Sequence, residues 1–244
     1  MIAIIRKDLR EWFSGGATGR YGQYEYLIYI VLFGVGFPLL FAFMASSGPK
    51  HGGVPPIGPF IGATVPILLL IYAMADAFAG ERERGTLETL LVTPLRSVDI
   101  VVGKWLAGIG YAAGIMIATS VLGSVVSLLV GAKTVPFGLL AVVMSIALVI
   151  GGLLGAIEII ISLKAPTVKS AVFALNITFV VIAVGGTQLL TRNMHVVDRF
   201  IAPIIALGST GVLLLGAGVL TLLLAIIAAL LWVATQQLRA MRLE

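Results

Sequence analysis

Residues 81–94 read ERERGTLETLLVTP and lie between two long apolar runs, near 60–79 and 100–130. Four alternating charges in such a place read as chain in water just after a membrane crossing. Gly80 lets the chain leave the preceding run. Gly85 and Thr86 then supply a helix start: the Thr86 hydroxyl is placed to cap the next turn, and Glu88 puts negative charge where the helix dipole favours it. Leu87, Leu90 and Leu91 share one face. Thr93-Pro94 stops the helix, because proline disfavours helical backbone in the residue before it. The expected helix is shorter than about three turns, too short to be stable alone in water. Its leucine face needs a cover, supplied either by its own bundle and the membrane interface or by a groove on a soluble partner.

The rest of the chain fits that setting. Hydrophobic residues make up 59% of the 244 residues, charged residues only 11%, and the mean hydropathy is +1.12. A soluble domain carries about 25% charge to solvate its surface, so most of this surface faces lipid. The 29 glycines suit closely packed membrane helices. There is no cysteine, which excludes a disulfide scaffold and cysteine-ligated metal. The net charge of +5 is too small to mark a nucleic-acid binder.

A helix needs about 20 mostly apolar residues to cross a bilayer core. Six stretches qualify: 27–45, 60–79, 100–130, 137–163, 170–190 and 211–233. The expected fold is therefore an all-α integral membrane protein with six transmembrane helices, one domain over 1–244. The third run would reach about 46 Å and must tilt or project into the cytoplasm. With both termini cytoplasmic, 12 Lys and Arg fall inside and 4 (Lys50, Lys133, Arg192, Arg199) outside, in line with the positive-inside rule. The polar stretch 191–209 leads to the last span and is broken by Pro203, which fits a short interfacial or re-entrant helix. There is no visible internal repeat, so an inverted-repeat carrier gains no support.

Residues 1–20 form a basic lead-in. Within it Ile2, Ile5, Leu9 and Trp12 line one helix face, with Arg6, Lys7, Arg10 and Glu11 on the rest. That pattern predicts an interfacial amphipathic helix anchored by Trp12 and Phe13. Ionisable residues at membrane depth are functional candidates: Asp76, one turn from the end of the second span, and Glu158, about 9 Å from the end of the fourth. Snorkelling or pairing near the interface would also account for both. Asn176 and Gln188 could line a path or bond between helices. Gly110-x-x-x-Gly114 and Gly151-x-x-x-Gly155 are close-packing motifs, within the protomer or at a dimer seam. Lys104 and Trp105 look like interface anchors. Two lone histidines, His51 and His195, do not make a metal site.

The string ERERGTLETLLVTPLR, followed by Gly103-Lys104 in the third run, resembles the permeases of the type-2 ATP-binding-cassette (ABC) exporter family. In that family E-x-E-x-G-T-L-E-x-L-L-x-T-P-x-[ST] lies in the first cytoplasmic loop. Glu81, Glu83, Gly85, Thr86, Leu87, Glu88, Leu90, Leu91, Thr93 and Pro94 match position by position. Leu95-Arg96-Ser97 stands where the family has a hydroxyl residue soon after the proline. The resemblance implies a permease in the inner (plasma) membrane, working as a homodimer or as a heterodimer with a paralogue. It implies a cytoplasmic ATPase subunit that binds ATP and Mg, with segment 80–97 as the coupling element. Leu87, Leu90 and Leu91 would dock into that subunit, and Glu81, Glu83 and Glu88 would pair with its basic residues. The chain has no G-x-x-x-x-G-K-[ST] phosphate loop, so it is expected to bind no cofactor itself and to be no enzyme. Two other expectations stand beside this one: a membrane subunit for haem or copper-centre maturation, and an ion-coupled carrier or channel using Asp76 and Glu158 without ATP.

Overall fold

The structure is a computed structural model that describes residues 1–14, 28, 31–37, 39–40, 57–64, 66–129, 137–177, 188, 192 and 208–243. Among the described residues the order is α1 (Ile2–Ser14), a π-helical turn (Leu32–Gly36), α2 (Ile57–Thr64), α3 (Pro66–Ala75) and a π-helical turn (Asp76–Gly80). There follow α4 (Glu81–Glu83), α5 (Leu87–Leu91), α6 (Ser97–Leu129), α7 (Phe137–Lys164), α8 (Val168–Ile177) and α9 (Gly208–Leu243).

Four helices among the described residues are long and apolar enough to cross a membrane: Pro59–Glu83, Ser97–Leu129, Phe137–Lys164 and Gly216–Arg242. They correspond to the second, third, fourth and sixth expected spans. The expected spans 27–45 and 170–190 lie in part outside the described residues, and the polar stretch 191–209 lies almost wholly outside them; α8 supplies the start of the fifth. At 1.5 Å per residue α6 is about 50 Å long and α9 about 54 Å, so both outrun a bilayer core. The last helix continues ten residues past the expected end at Val233, through Arg239 and Arg242.

Small residues let these helices approach closely. A methyl at Gly62 would stand 2.6–2.7 Å from the backbone of Thr119 and Ser120, so only glycine permits α2 to cross α6 there. The Thr119 hydroxyl lies 2.7 Å from the Gly62 carbonyl at that crossing. Gly151 and Gly155 face Leu70 and Met74 of α3, which places that G-x-x-x-G motif inside the protomer. The largest core gathers Leu70, Met74, Phe78, Ile100, Val101, Ile159, Leu163 and Leu238, from four different spans. Outward faces carry exposed apolar side chains such as Ile117, Leu128, Ile146 and Leu222, the composition of a lipid-facing surface.

Residues Ile2–Ser14 are helical, but the inward face is not the expected one. Ile4, Asp8 and Trp12 are buried, while Ile2 is 79% exposed. Ile4 lies beside Gly103 and Leu9 beside Gly110, and the Trp12 ring sits 5.9 Å from that of Tyr111. The contacts advance together, so α1 runs alongside the first third of α6. Trp12 is thus a core residue of this helix pair. Apolar spacing alone missed the rotation because Asp8, a polar residue, sits on the buried side.

Candidate functional site

The four charges Glu81 to Arg84 do not all stand in water: Glu81 is buried and Arg82 half-buried, while Glu83 and Arg84 are exposed. Glu81 is only 2% exposed, and each of the four is tied to a different part of the molecule. Consecutive helical residues point about 100° apart, so ERER radiates instead of pairing with itself.

Glu81 is held by three donors. Its Oε1 accepts from Lys7 Nζ at 2.9 Å and Lys104 Nζ at 3.3 Å, and its Oε2 accepts from the Thr86 hydroxyl. Lys104, itself 2% exposed, also reaches Asp8 Oδ2 at 3.4 Å and stands 5.5 Å above the Phe78 ring. One ammonium therefore joins α1, α4 and α6. Burial pushes the Asp8 carboxyl above the ordinary carboxylate range, against the pull of Lys104 and Lys7. Burial works against the charge on Lys7, yet Glu81 outweighs it and holds that ammonium above its usual value.

Arg82 and Glu83 address the rest of the bundle, and Arg84 turns back on its own span. Arg82 donates to the carbonyls of Leu163, at 2.7 Å, and Ala165. These are the end carbonyls of α7, which have no partner inside their own helix. Glu83 Oε1 accepts from Val168 N at 2.9 Å, placing negative charge at the start of α8. That start is also closed by a reciprocal pair between Thr167 and Ser170, an arrangement of the capping-box kind. Arg84 forms an ion pair with Asp76 at 3.0 Å.

The spacing of the motif has a backbone reason. Thr86 N donates to Glu81 O at 2.8 Å and Gly85 N to Arg82 O at 3.1 Å, with Gly85 at φ +69°. This is a Schellman ending, in which a left-handed glycine closes the helix and brings the flanking side chains together. Here those side chains are Glu81 and Thr86. Gly85 thus ends α4 instead of opening α5, and Thr86 makes no side-chain cap for α5. Its hydroxyl is committed to Glu81.

The hairpin beyond is short, and its leucines turn inward. Leu87, Leu90, Leu91 and Leu95 are half-buried against the main core. The Thr93 hydroxyl bonds the Leu90 carbonyl at 2.7 Å, and Arg242 of α9 donates to Leu95 O at 2.8 Å. The outer side is left to Glu88, Thr89, Pro94 and Val92, which is 83% exposed. The leucine face is therefore covered by the protein's own bundle. Within the expected motif Glu81 and Glu83 are engaged internally, and Glu88 faces outward.

Just before the junction the second span departs from α-helix. In the turn Asp76–Gly80 the Ser162 hydroxyl of α7 accepts from Phe78 N at 3.1 Å and Ala79 N at 2.9 Å, and lies 2.7 Å from Ala75 O. A side chain inserted into the backbone ladder is a known cause of such turns, which recur at functional sites. Trp105 donates to Gly152 O at 2.9 Å, joining α6 to α7.

The membrane-depth candidates do not come together. Asp76 is paired with Arg84. Glu158 is 0% exposed, and among the described residues neither of its oxygens has a hydrogen-bond partner. Asn176 is exposed on α8, and Gln188 is exposed at an isolated described position. Among the described residues no three His, Asp or Glu side chains gather as a metal site would require. Sequence reasoning did not foresee the roles of Asp8, Arg82, Lys104, Ser162 and Arg242. The one available signal was a charged Lys104 inside an apolar stretch, without a visible partner nearby.

A family model described as "ABC-2 family transporter protein" matches residues 39–198, well over half of the chain. No curated protein matches it.

Proposed function

The chain belongs to the ABC-2 transporter family and is a multi-pass membrane permease component of an ABC transporter, and we propose that it is the transmembrane half of an exporter driven by a separate ATPase subunit. That subunit carries ATP and Mg and docks on the hairpin between the second and third spans. The permease has six spans with cytoplasmic termini in the inner (plasma) membrane, and pairs with a second permease copy.

One observation carries this proposal: Glu81, Arg82 and Glu83 tie the hairpin root to other helices and Arg84 ties it to its own span, while the hairpin tip is left exposed. A cytoplasmic protrusion with such a root suits force transmission. Its exposed contact set is Glu88, Thr89 and Val92, the face opposite Leu87, Leu90 and Leu91. An apolar Val92 beside a carboxylate fits a groove with a basic rim.

The test is co-purification of the ATPase and its stimulation by the permease, with Glu88→Lys combined with Val92→Asp. Both should be lost while thermal stability stays at the wild-type value, because exposed positions seldom shift stability beyond about 0.5 kcal/mol. A variant that still binds and stimulates the ATPase would remove the hairpin tip as the docking site.

A further inference from the structure

We propose that Lys104 is a positioning residue of this junction, joining the N-terminal helix and the hairpin root into one moving body. When the ATPase displaces the hairpin, α1 then follows it. The inference rests on the coupling role proposed above and adds α1 to the parts that move.

The observations come from both sides of one ammonium. Lys104 reaches Asp8 of α1 at 3.4 Å and Glu81 of the hairpin root at 3.3 Å. A second tie bypasses it, since Lys7 of α1 bonds the same Glu81 oxygen at 2.9 Å. Asp8, Glu81 and Lys104 are all buried. Buried ion sets seldom stabilise a fold more than apolar side chains of the same size would, and their best-attested use is to fix one arrangement against its neighbours. Apolar contacts are shared with the rest of the core: Ile4, Leu9 and Trp12 pack α1 on α6, and Ile4 belongs to the same core that Leu87, Leu90 and Leu91 pack against. The bond that reaches Glu81 from α1 is a charge pair, directional where the apolar contacts are not. Directional charge pairs therefore fix how α1 sits on the hairpin root.

The natural chain has no cysteine, so spin labels can be placed at will. Three exposed positions serve: Arg10 on α1, Arg96 at the end of the hairpin and Ile146 on α7. Distances are measured on the permease with its co-purified ATPase, before and after trapping with Mg-ATP and vanadate. In the wild type the Arg96–Ile146 and Arg10–Ile146 distances should both shift by more than about 2 Å, the scale of a genuine rearrangement. Arg10–Arg96 should stay within about 2 Å. Lys7→Gln with Asp8→Asn leaves the Lys104–Glu81 pair intact and releases α1. In that variant the hairpin should still move, while Arg10–Ile146 stays fixed and Arg10–Arg96 changes. A wild-type hairpin that moves without α1, or a double variant in which α1 still follows, overturns the inference alone. A wild-type hairpin that does not move overturns the coupling role as well. The wild-type distances decide the matter even if the double variant does not fold.

Discussion

Replacing Lys104 by methionine should destabilise the protein strongly, and a second substitution should partly restore it. Methionine keeps most of the aliphatic volume, so little cavity is created. Charge is what changes. Glu81 keeps Lys7 and Thr86, but Asp8 loses the ammonium at 3.4 Å while staying buried. Removing one partner of a buried pair costs about 3–5 kcal/mol, mostly from the charge left behind. At roughly 2–4 °C per kcal/mol for a chain of this size, Tm should fall by about 6–20 °C. Asp8→Asn added to Lys104→Met removes the stranded charge and should recover about 0.5–3 kcal/mol. The assay is thermal unfolding of the purified permease in lipid nanodiscs, followed by size-exclusion of the remaining monodisperse protein. A Lys104→Met protein within about 2 °C of wild type, or a double variant no more stable than the single one, would refute the buried-pair account.

Two further outcomes follow from the junction and the helix crossings. Arg82→Gln removes the charged donor from the end carbonyls of α7 and should cost about 1.5–3 kcal/mol, with faster amide exchange confined to the last turn of α7 and the start of α8. Gly62→Ala forces a methyl to 2.6–2.7 Å from the backbone of α6. Its cost of about 1–3 kcal/mol from overpacking should exceed that of Gly85→Ala, where space is open and only the left-handed backbone, at about 1–2 kcal/mol, opposes the change. Equal melting temperatures for the two glycine variants would contradict the close α2–α6 approach.

What the sequence made legible was whatever depends on local pattern. The apolar runs at 100–130 and 137–163 reappear as α6 and α7, and Thr93-Pro94 does end a short helix. Gly85 was visible as a break, but its direction was not: a glycine followed by threonine reads equally as the close of one helix or the start of the next. The pair Glu81 and Thr86, five residues apart, was the clue to a Schellman ending. The buried charges were illegible for a different reason. Lys104 finds Asp8 across 96 positions and Glu81 across 23, and such pairings follow from the packing of α1 on α6, which periodicity does not specify. Asp8 even misled, because a polar residue on a buried face rotates the apparent stripe of α1. The leucines of the hairpin were placed on one face, yet only the fold decides whether that face meets a partner or the chain's own core.

Four adjacent charges would be an unstable device if they served one surface. Neighbours along a helix do not face each other, so none of the four can neutralise the next, and each must find its counterpart elsewhere. Glu81 finds it on α1 and α6, Arg82 at the end of α7, Glu83 at the start of α8, and Arg84 at Asp76 below. The counterparts of Glu81, Arg82 and Glu83 belong to other helices or helix ends, while Arg84 turns back on its own span. A push on the hairpin therefore reaches the ends of several spans at once, through bonds that are short and directional. Movement of one span alone would break a charge-assisted bond of about 1.5–3 kcal/mol for each tie it strains. Movement of all together breaks none. The junction thus favours a concerted shift of the span ends beside the hairpin over independent motion, and the Ser162 insertion in the second span gives that shift a place where the helix is already departed from its regular ladder.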